Sequence, residues 1–230
     1  MSEFQKWTSQ HRTIRASRDW NALLNHGLEK PASYIIRKNG DYYEAINGST
    51  GKIDYGGAND AGGVSGTDAA MVIQAAIDAL GTDGGKILIK KGSYPISNAI
   101  RIDAPIILSG EGPATLLRGG RFGMGDIMQI GLIGEATLAV IENMQFRPYY
   151  GGGINGIRIG FGYHITLRNL WLEGFGGAPD SYGIGIGYPD KNTGGILAEN
   201  LKVFNCSYNI RIFEPSSSYC LLYTSDAADE

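Results

Sequence analysis

From residue 84 onward the chain sets isoleucine, leucine and valine in short bursts that alternate with polar residues and end in glycine or asparagine. Lys86-Ile87-Leu88-Ile89-Lys90, followed by Gly92-Ser93-Tyr94-Pro95-Ile96, is the first example. A period of two puts the apolar side chains on one face of a strand. One earlier stretch has the helical period instead: Val72, Ile73, Ala76, Ile77 and Leu80 share a face, Thr67 or Asp68 can accept from the first free amides, and Gly81 ends the run. The spacing predicts one amphipathic helix over 68–80 and only strands after it. Upstream, three β-rich runs are separated by Asn39-Gly40 and by Asn47-Gly48-Ser49-Thr50-Gly51, which predicts a three-stranded meander over 34–55. Asn47-Gly48-Ser49 also has the form of a glycosylation acceptor, but the turn's need for positive φ explains the Asn-Gly by itself. Residues 56–66 carry five glycines and read as a linker. Residues 1–33 form a polar arm anchored by Trp7, Trp20, Leu23 and Leu24, with a short helix expected over 20–28.

Two patterns alternate through the rest of the chain. Gly156-Ile157-Arg158-Ile159, Gly183-Ile184-Gly185-Ile186 and Asn209-Ile210-Arg211-Ile212 recur at steps of 27 and 26 residues, with Met128-Gln129-Ile130 as a weaker earlier copy. Ile141-Glu142-Asn143-Met144, Leu167-Arg168-Asn169-Leu170 and Ala198-Glu199-Asn200-Leu201 recur at steps of 26 and 31, with Leu108-Ser109-Gly110 as an asparagine-free first copy. Such a period is that of a coil which cannot bury its apolar side alone and must stack on its neighbours. Stacking in phase merges the aliphatic positions into one core and brings Asn143, Asn169 and Asn200 into a ladder of amides. Glu142, Arg168 and Glu199 then stack as acid, base and acid, a structural arrangement.

The run from Asp68 through Gly92-Ser93-Tyr94 to Leu108-Ser109-Gly110-Glu111-Gly112 resembles the start of the pectate-lyase-like domain shared by rhamnogalacturonase and epimerase-type β-helix proteins. The resemblance covers roughly residues 60–219. It implies an all-β fold, a right-handed parallel β-helix of the pectin-lyase type over 67–219, with the helix capping its N-terminal mouth and the meander of 34–66 before it. It implies little about reaction, because the family includes hydrolases, lyases, epimerases, phage tailspikes and proteins without known activity. The partner it implies is a polysaccharide, the location extracellular or on a virion, and the assembly a homotrimer if the parent is a viral fibre.

Composition narrows the classes. At 43% hydrophobic and 19% charged the chain is globular, and its net charge of −3 with no basic run excludes the electrostatic footprint of a nucleic-acid binder. No apolar stretch reaches the roughly 18 residues of a membrane span, and residues 1–11 lack the apolar core of a signal peptide. Residues 220–230, Cys220-Leu221-Leu222-Tyr223-Thr224-Ser225-Asp226-Ala227-Ala228-Asp229-Glu230, resemble the translation of a transposase-end adaptor used in preparing sequencing libraries. On that reading the tail is foreign, the natural chain runs on past Tyr219 with later coils and a cap, and residues 1–219 alone end in exposed strand edges. Cys206 and Cys220 make no disulfide framework in either case.

The resemblance also supplies a check on chemistry, since polygalacturonase-like relatives carry acids and a histidine just before or within the Gly-Ile-x-Ile strand. The matching positions here are Asn155, Tyr182 and Tyr208, none of them an acid, and only Asp180 lies near that face, whereas glycosidic hydrolysis needs two carboxyls about 5 to 10 Å apart. A lyase would need a base and cations, for which Arg158, Arg211, His164 and Asp180 are the candidates. Arg158 and Arg211 flank Gly185 at one strand position, leaving a gap of about 9.6 Å that would take a carboxylated sugar. The commoner role of such arginines is a solvated outward position, and that reading is favoured. Calcium would need clustered acids, and Asp180 with Asp190 is too little, so neither metal nor cofactor is expected. Tyr163, Tyr182, Tyr188 and Tyr208, with Tyr149 and Tyr150 nearby, suit the C–H face of a sugar, although about half of such tyrosines serve as core or turn fillers. The expected function is a carbohydrate-active protein that binds, and on an enzyme reading cleaves, an acidic polysaccharide of the pectin type. The alternative is a non-catalytic glycan-recognising surface or fibre protein.

Overall fold

A computed structural model describes residues 32–119, 125–149, 153–187 and 193–213, together with the backbone of Leu221–Thr224. The expected arm and its helix, Tyr150, Tyr188 and Asp190 lie outside the described residues.

The chain forms a parallel β-solenoid of about four turns. Strands β1 (Tyr34–Asn39), β2 (Tyr42–Asn47) and β3 (Ile53–Gly56) make the antiparallel meander. The meander is continuous with the solenoid, because β1 pairs in parallel with β4 (Gly85–Ile89) through Tyr34–Ile87, Ile35–Leu88 and Ile36–Ile89. Between them lies helix α1 (Ala69–Leu80), whose buried Val72, Ile73, Ala76 and Ile77 join the same core as Ile36, Tyr43 and the solenoid interior. The Asp68 side chain caps α1 by accepting from Ala70 N at 2.9 Å and Met71 N at 3.2 Å. It also accepts from Ser97 Oγ at 2.8 Å, which pins the helix start to the first coil. Where the chain leaves α1 for β4, Gly84 has φ +69°, and a Cβ there would sit 2.2 Å from the Pro105 carbonyl oxygen, so only glycine fits.

Each coil then runs along three faces. The first holds β4, β7 (Ile106–Ser109) and the leading parts of β11 (Val140–Pro148), β13 (Gly162–Glu173) and β15 (Thr193–Phe204). The second holds β5 (Gly92–Ile96), β8 (Thr115–Gly119) and the trailing parts of the same long strands. These two faces form one bent sheet, to which β10 (Ala136–Thr137) adds a short piece. The third face is a separate five-stranded sheet of β6 (Ile100–Ile102), β9 (Gly125–Ile130), β12 (Ile154–Ile159), β14 (Tyr182–Ile186) and β16 (Tyr208–Ile212), all parallel. Among the described residues no helix is long and apolar enough to cross a membrane.

The bend between the first two faces is the expected ladder. Asn143, Asn169 and Asn200 have φ of +58°, +53° and +48°, the left-handed conformation that asparagine tolerates better than other side-chain-bearing residues. Their amides hydrogen-bond from coil to coil: Asn200 Nδ2 donates to Asn169 Oδ1 at 2.8 Å, Asn169 Nδ2 to Asn143 Oδ1 at 2.9 Å, and Asn143 Nδ2 to Ser109 Oγ at 3.4 Å. Five residues before each asparagine, Leu138, His164 and Gly195 bend the chain with φ of +63°, +58° and +62°. This second left-handed column has no common residue type. Beside the ladder, buried Glu142 pairs with Arg168, whose Nε donates to Oε2 at 3.1 Å, while Glu199 stands in register without an ion pair among the described residues.

The core is a set of aliphatic columns. Ile100, Met128, Ile157 and Ile184 stack with exposures of 0 to 1%, and the fifth member, Ile210, is 38% exposed. The neighbouring column ends at Ile212, 54% exposed. On the other sheet the backbone of β17 (Leu221–Thr224) pairs in parallel with Ile196–Glu199, so four residues of the segment with the adaptor resemblance extend the solenoid rather than leaving that stretch of edge bare.

Asn169→Ala is expected to destabilise the protein by roughly 2–3 kcal/mol, from two lost ladder bonds and a left-handed alanine. Asn169→Gly, which removes the bonds but tolerates the backbone, should recover about 1 kcal/mol of that. Urea unfolding of the three proteins checks the order, and equal loss in both variants would refute the backbone part.

Candidate functional site

The outer face of the five-stranded sheet gathers most of the candidate residues. Alternation along its strands turns the isoleucines inward and leaves one outward position per strand between them: Arg101, Gln129, Arg158, Gly185 and Arg211, in register across all five strands. A second outward column, Asp126, Asn155, Tyr182 and Tyr208, runs beside it.

Three coils are tied together there. Asp126, only 7% exposed, accepts at Oδ1 from the Tyr182 hydroxyl at 2.7 Å and from Asn155 Nδ2 at 3.0 Å, and at Oδ2 from Gln129 Nε2 at 3.0 Å. Tyr182 in turn accepts from Arg158 Nη1 at 3.0 Å, and its backbone N–H donates to Asn155 Oδ1 at 3.2 Å. The result is a carboxylate, a phenol and a guanidinium in series, with two amides donating to the carboxylate end. Burial, and then the Asp126 charge beside it, push the Tyr182 hydroxyl well above its ordinary value. A buried phenol that resists ionisation makes a poor base, and a carboxylate already accepting three hydrogen bonds has little capacity left for a substrate. This network organises the face rather than performing chemistry on it.

The interval expected between Arg158 and Arg211 is filled. A Cβ at Gly185 would lie 2.6 Å from Tyr182 Cε2 and 3.0 Å from Phe213 Cε2, so the glycine makes room for two rings, not for a uronate. Those rings meet edge to face at 5.5 Å, and Phe213 is covered by both guanidinium groups, Arg158 at 3.9 Å and Arg211 at 4.9 Å. Arg211 Nη1 also donates to the Asp180 carboxylate at 3.0 Å and to the Asp180 carbonyl oxygen at 2.9 Å. Arg158, Arg211 and Asp180 are thus drawn together as an aromatic and ionic cluster. His164 stands apart from it, on the other sheet at the second left-handed bend.

The tyrosines divide. Tyr182 is 2% exposed and serves as filler, whereas Tyr208 is 45% exposed with Arg211 stacked on its ring at 4.9 Å. Tyr163 is half-buried against Phe161, and Tyr149, at 40% exposure, carries Arg118 over its ring at 4.3 Å. Among the described residues no group of three His, Cys, Asp or Glu is placed to hold a metal ion.

Three participants escaped the sequence reading. Asp126 lies two residues before Met128-Gln129-Ile130, at the position of Asn155 in the next coil, and extending the weak copy by two residues would have found it. Arg101 belongs to Ile100-Arg101-Ile102, a further copy of the Ile-Arg-Ile triplet one coil earlier. Phe213 had no signal, because it lies just past the end of its strand and packs on Tyr182, 31 positions upstream.

No family model matches the chain, and no curated protein matches it. A solved structure, "Geobacillus virus E2 - ORF18", aligns at 18% identity with a TM-score of 0.36, over 59% of this chain and 32% of that one. The chain thus spans about a third of that phage protein's length, and a likeness of this size carries no argument about function.

Tyr182→Phe should lower stability by about 1–3 kcal/mol, since it removes one donor from buried Asp126 and the acceptor of Arg158. The raised tyrosines also set an alkaline limit. Burial and hydrogen bonding to Asp54 push Tyr34 up to about 12, so its contribution is complete below pH 10 and is lost as pH rises from there through about 12. Tyr182 acts in the same direction, so stability should fall above pH 10, and less steeply in Tyr182→Phe. Urea midpoints measured from about pH 8 upward test both statements; a wild-type midpoint that holds level above pH 10 would refute the assignment.

Proposed function

We propose that this solenoid is a carbohydrate-binding protein that lays a polysaccharide along the outer face of its five-stranded sheet and does not cleave it on these coils. The observation that carries the reading is the pair of in-register columns on that face, whose accessible members, Arg101, Gln129, Asn155 and Arg211 with the exposed ring of Tyr208, set planar polar groups at the coil spacing of about 4.8 Å. Planar polar groups suit pairs of sugar hydroxyls, and an exposed ring such as Tyr208 suits the C–H face of a pyranose.

Binding without cleavage is supported by the state of the titratable groups. Asp126 is enclosed and saturated, Tyr182 is buried, and Asp180 is engaged by Arg211. The preference for an acidic polymer loses its main support with the filling of the Arg158 to Arg211 interval. There remains a mixed order of donors and acceptors, which favours hydroxyl recognition over a run of carboxylates.

Affinity electrophoresis in gels containing a neutral galactan, pectin or alginate tests the reading. The protein should be retarded by at least one polymer, with no new reducing ends and no absorbance from unsaturated uronates. Tyr208→Ala should weaken retention by roughly twofold to tenfold, corresponding to about 0.5–1.5 kcal/mol for a stacked ring. Free migration in all three gels would sink the binding proposal, and turnover of any polymer would sink its non-catalytic part.

A further inference from the structure

The outer face of α1 and the first two strands of the five-stranded sheet enclose a groove of about 840 Å³. Small-ligand sites commonly occupy about 300–1,000 Å³. Its helix wall presents Gln74 and Asp78, its sheet wall Arg101 and Gln129, and exposed Met71 and Ile133 also line it.

One residue fixes the two walls. β6 is the edge of its sheet, and at Arg101 the missing neighbour strand is replaced by a side chain: the Arg101 N–H donates to Gln74 Oε1 at 2.8 Å, and Gln74 Nε2 donates to the Arg101 carbonyl oxygen at 3.2 Å. Gln74 Nε2 also reaches Asp78 Oδ1 at 2.8 Å. The helix therefore grips the strand backbone and leaves the Arg101 side chain, which is outward and exposed, without a hydrogen bond or ion pair among the described residues. Its column mates Arg158 and Arg211 are both engaged. On the same lining, Asp103 Oδ1 is enclosed and has no hydrogen-bond partner among the described residues. Enclosed as it is, that oxygen is out of reach of a ligand, and Asp103 acts on the groove through the rest of its carboxylate and its charge.

We infer that this groove is a subsite for one neutral, hydroxyl-bearing sugar unit, with Arg101 as its principal donor and the Asp78 and Asp103 carboxylates as acceptors. The inference rests on the carbohydrate reading above and extends it to a second location, at the helix-capped end of the face. Neutrality follows from the lining, where one guanidinium stands against two carboxylates, an arrangement that repels a further carboxylate while offering both donors and acceptors to vicinal hydroxyls. Met71, 46% exposed, and Ile133, 67% exposed, offer apolar surface to the C–H edges of the ring.

The test is an amide NMR titration of the full chain with methyl galactoside and with the methyl glycoside of galacturonate, sugars that differ only in the carboxylate, run beside the gel retardation. Methyl galactoside should shift the resonances of Gln74, Arg101 and Gln129 and bind more tightly than galacturonate. Arg101→Ala should weaken it about tenfold, the loss of a charge-assisted hydrogen bond, and Met71→Trp, an exposed substitution that fills the groove, should abolish it. Tighter binding of galacturonate would overturn the neutral assignment. Polymer retention unchanged in Met71→Trp, with shifts confined to the region of Tyr208 and Arg211, would overturn the subsite and leave the carbohydrate reading standing. Groove shifts with the monosaccharide but no retention by any polymer would overturn the polysaccharide-binding face and leave the sugar subsite standing, and no response to either sugar would overturn the subsite outright.

Discussion

Everything in this molecule depends on the backbone hydrogen bonds that hold one coil a strand's width from the next. A single coil has an interior of isoleucine that it cannot shield, and only a neighbour in strict register can cover it. A slip of one residue would turn Ile157 and Ile159 outward and Arg158 into the core, so register is enforced by burial along every column. The asparagine ladder adds a second lock at the bends, because each amide must find the oxygen of the one before it. The same register places the outward residues of successive coils beside one another and thereby makes a face on which Asp126, Asn155 and Tyr182 can share hydrogen bonds.

Much of this architecture is written in the sequence, and the reasons differ between elements. The helix over 69–80 is legible because its apolar period and its Asp68 cap are local properties. The ladder is legible because few residues other than glycine and asparagine accept a left-handed backbone and only asparagine also links coils. The companion bend at Leu138, His164 and Gly195 is silent for the opposite reason: tertiary register imposes the conformation on whichever residue occupies the place. The meander looks separable in the sequence, since an antiparallel hairpin needs no partner, yet its first strand supplies the parallel neighbour that β4 requires.

The face is less legible than the fold. Outward positions are easy to find, but an outward residue is not thereby an exposed one. Tyr182 and Arg158 point away from the core and are then covered by Phe213, which nothing in the repeat announces. Side chains that fold over an outer surface form a second, thinner layer of packing, and this layer decides which of the regularly spaced polar groups remain available. Arg101 is available because Gln74 takes only the backbone beside it.

The ladder steps of 26 and 31 residues show that coils of unequal length share one register. The surplus of the longer coil enters the connections between faces, chiefly between Ile186 and Thr193, while Ile184, Asn200 and their column mates keep their partners. Columns and connections are therefore under different physical constraints, the first held to a buried apolar side chain in register, the second free to differ in length. Added length at such a joint enlarges the surface without disturbing the stacked interior, and the same joints are where a designer would graft a foreign loop.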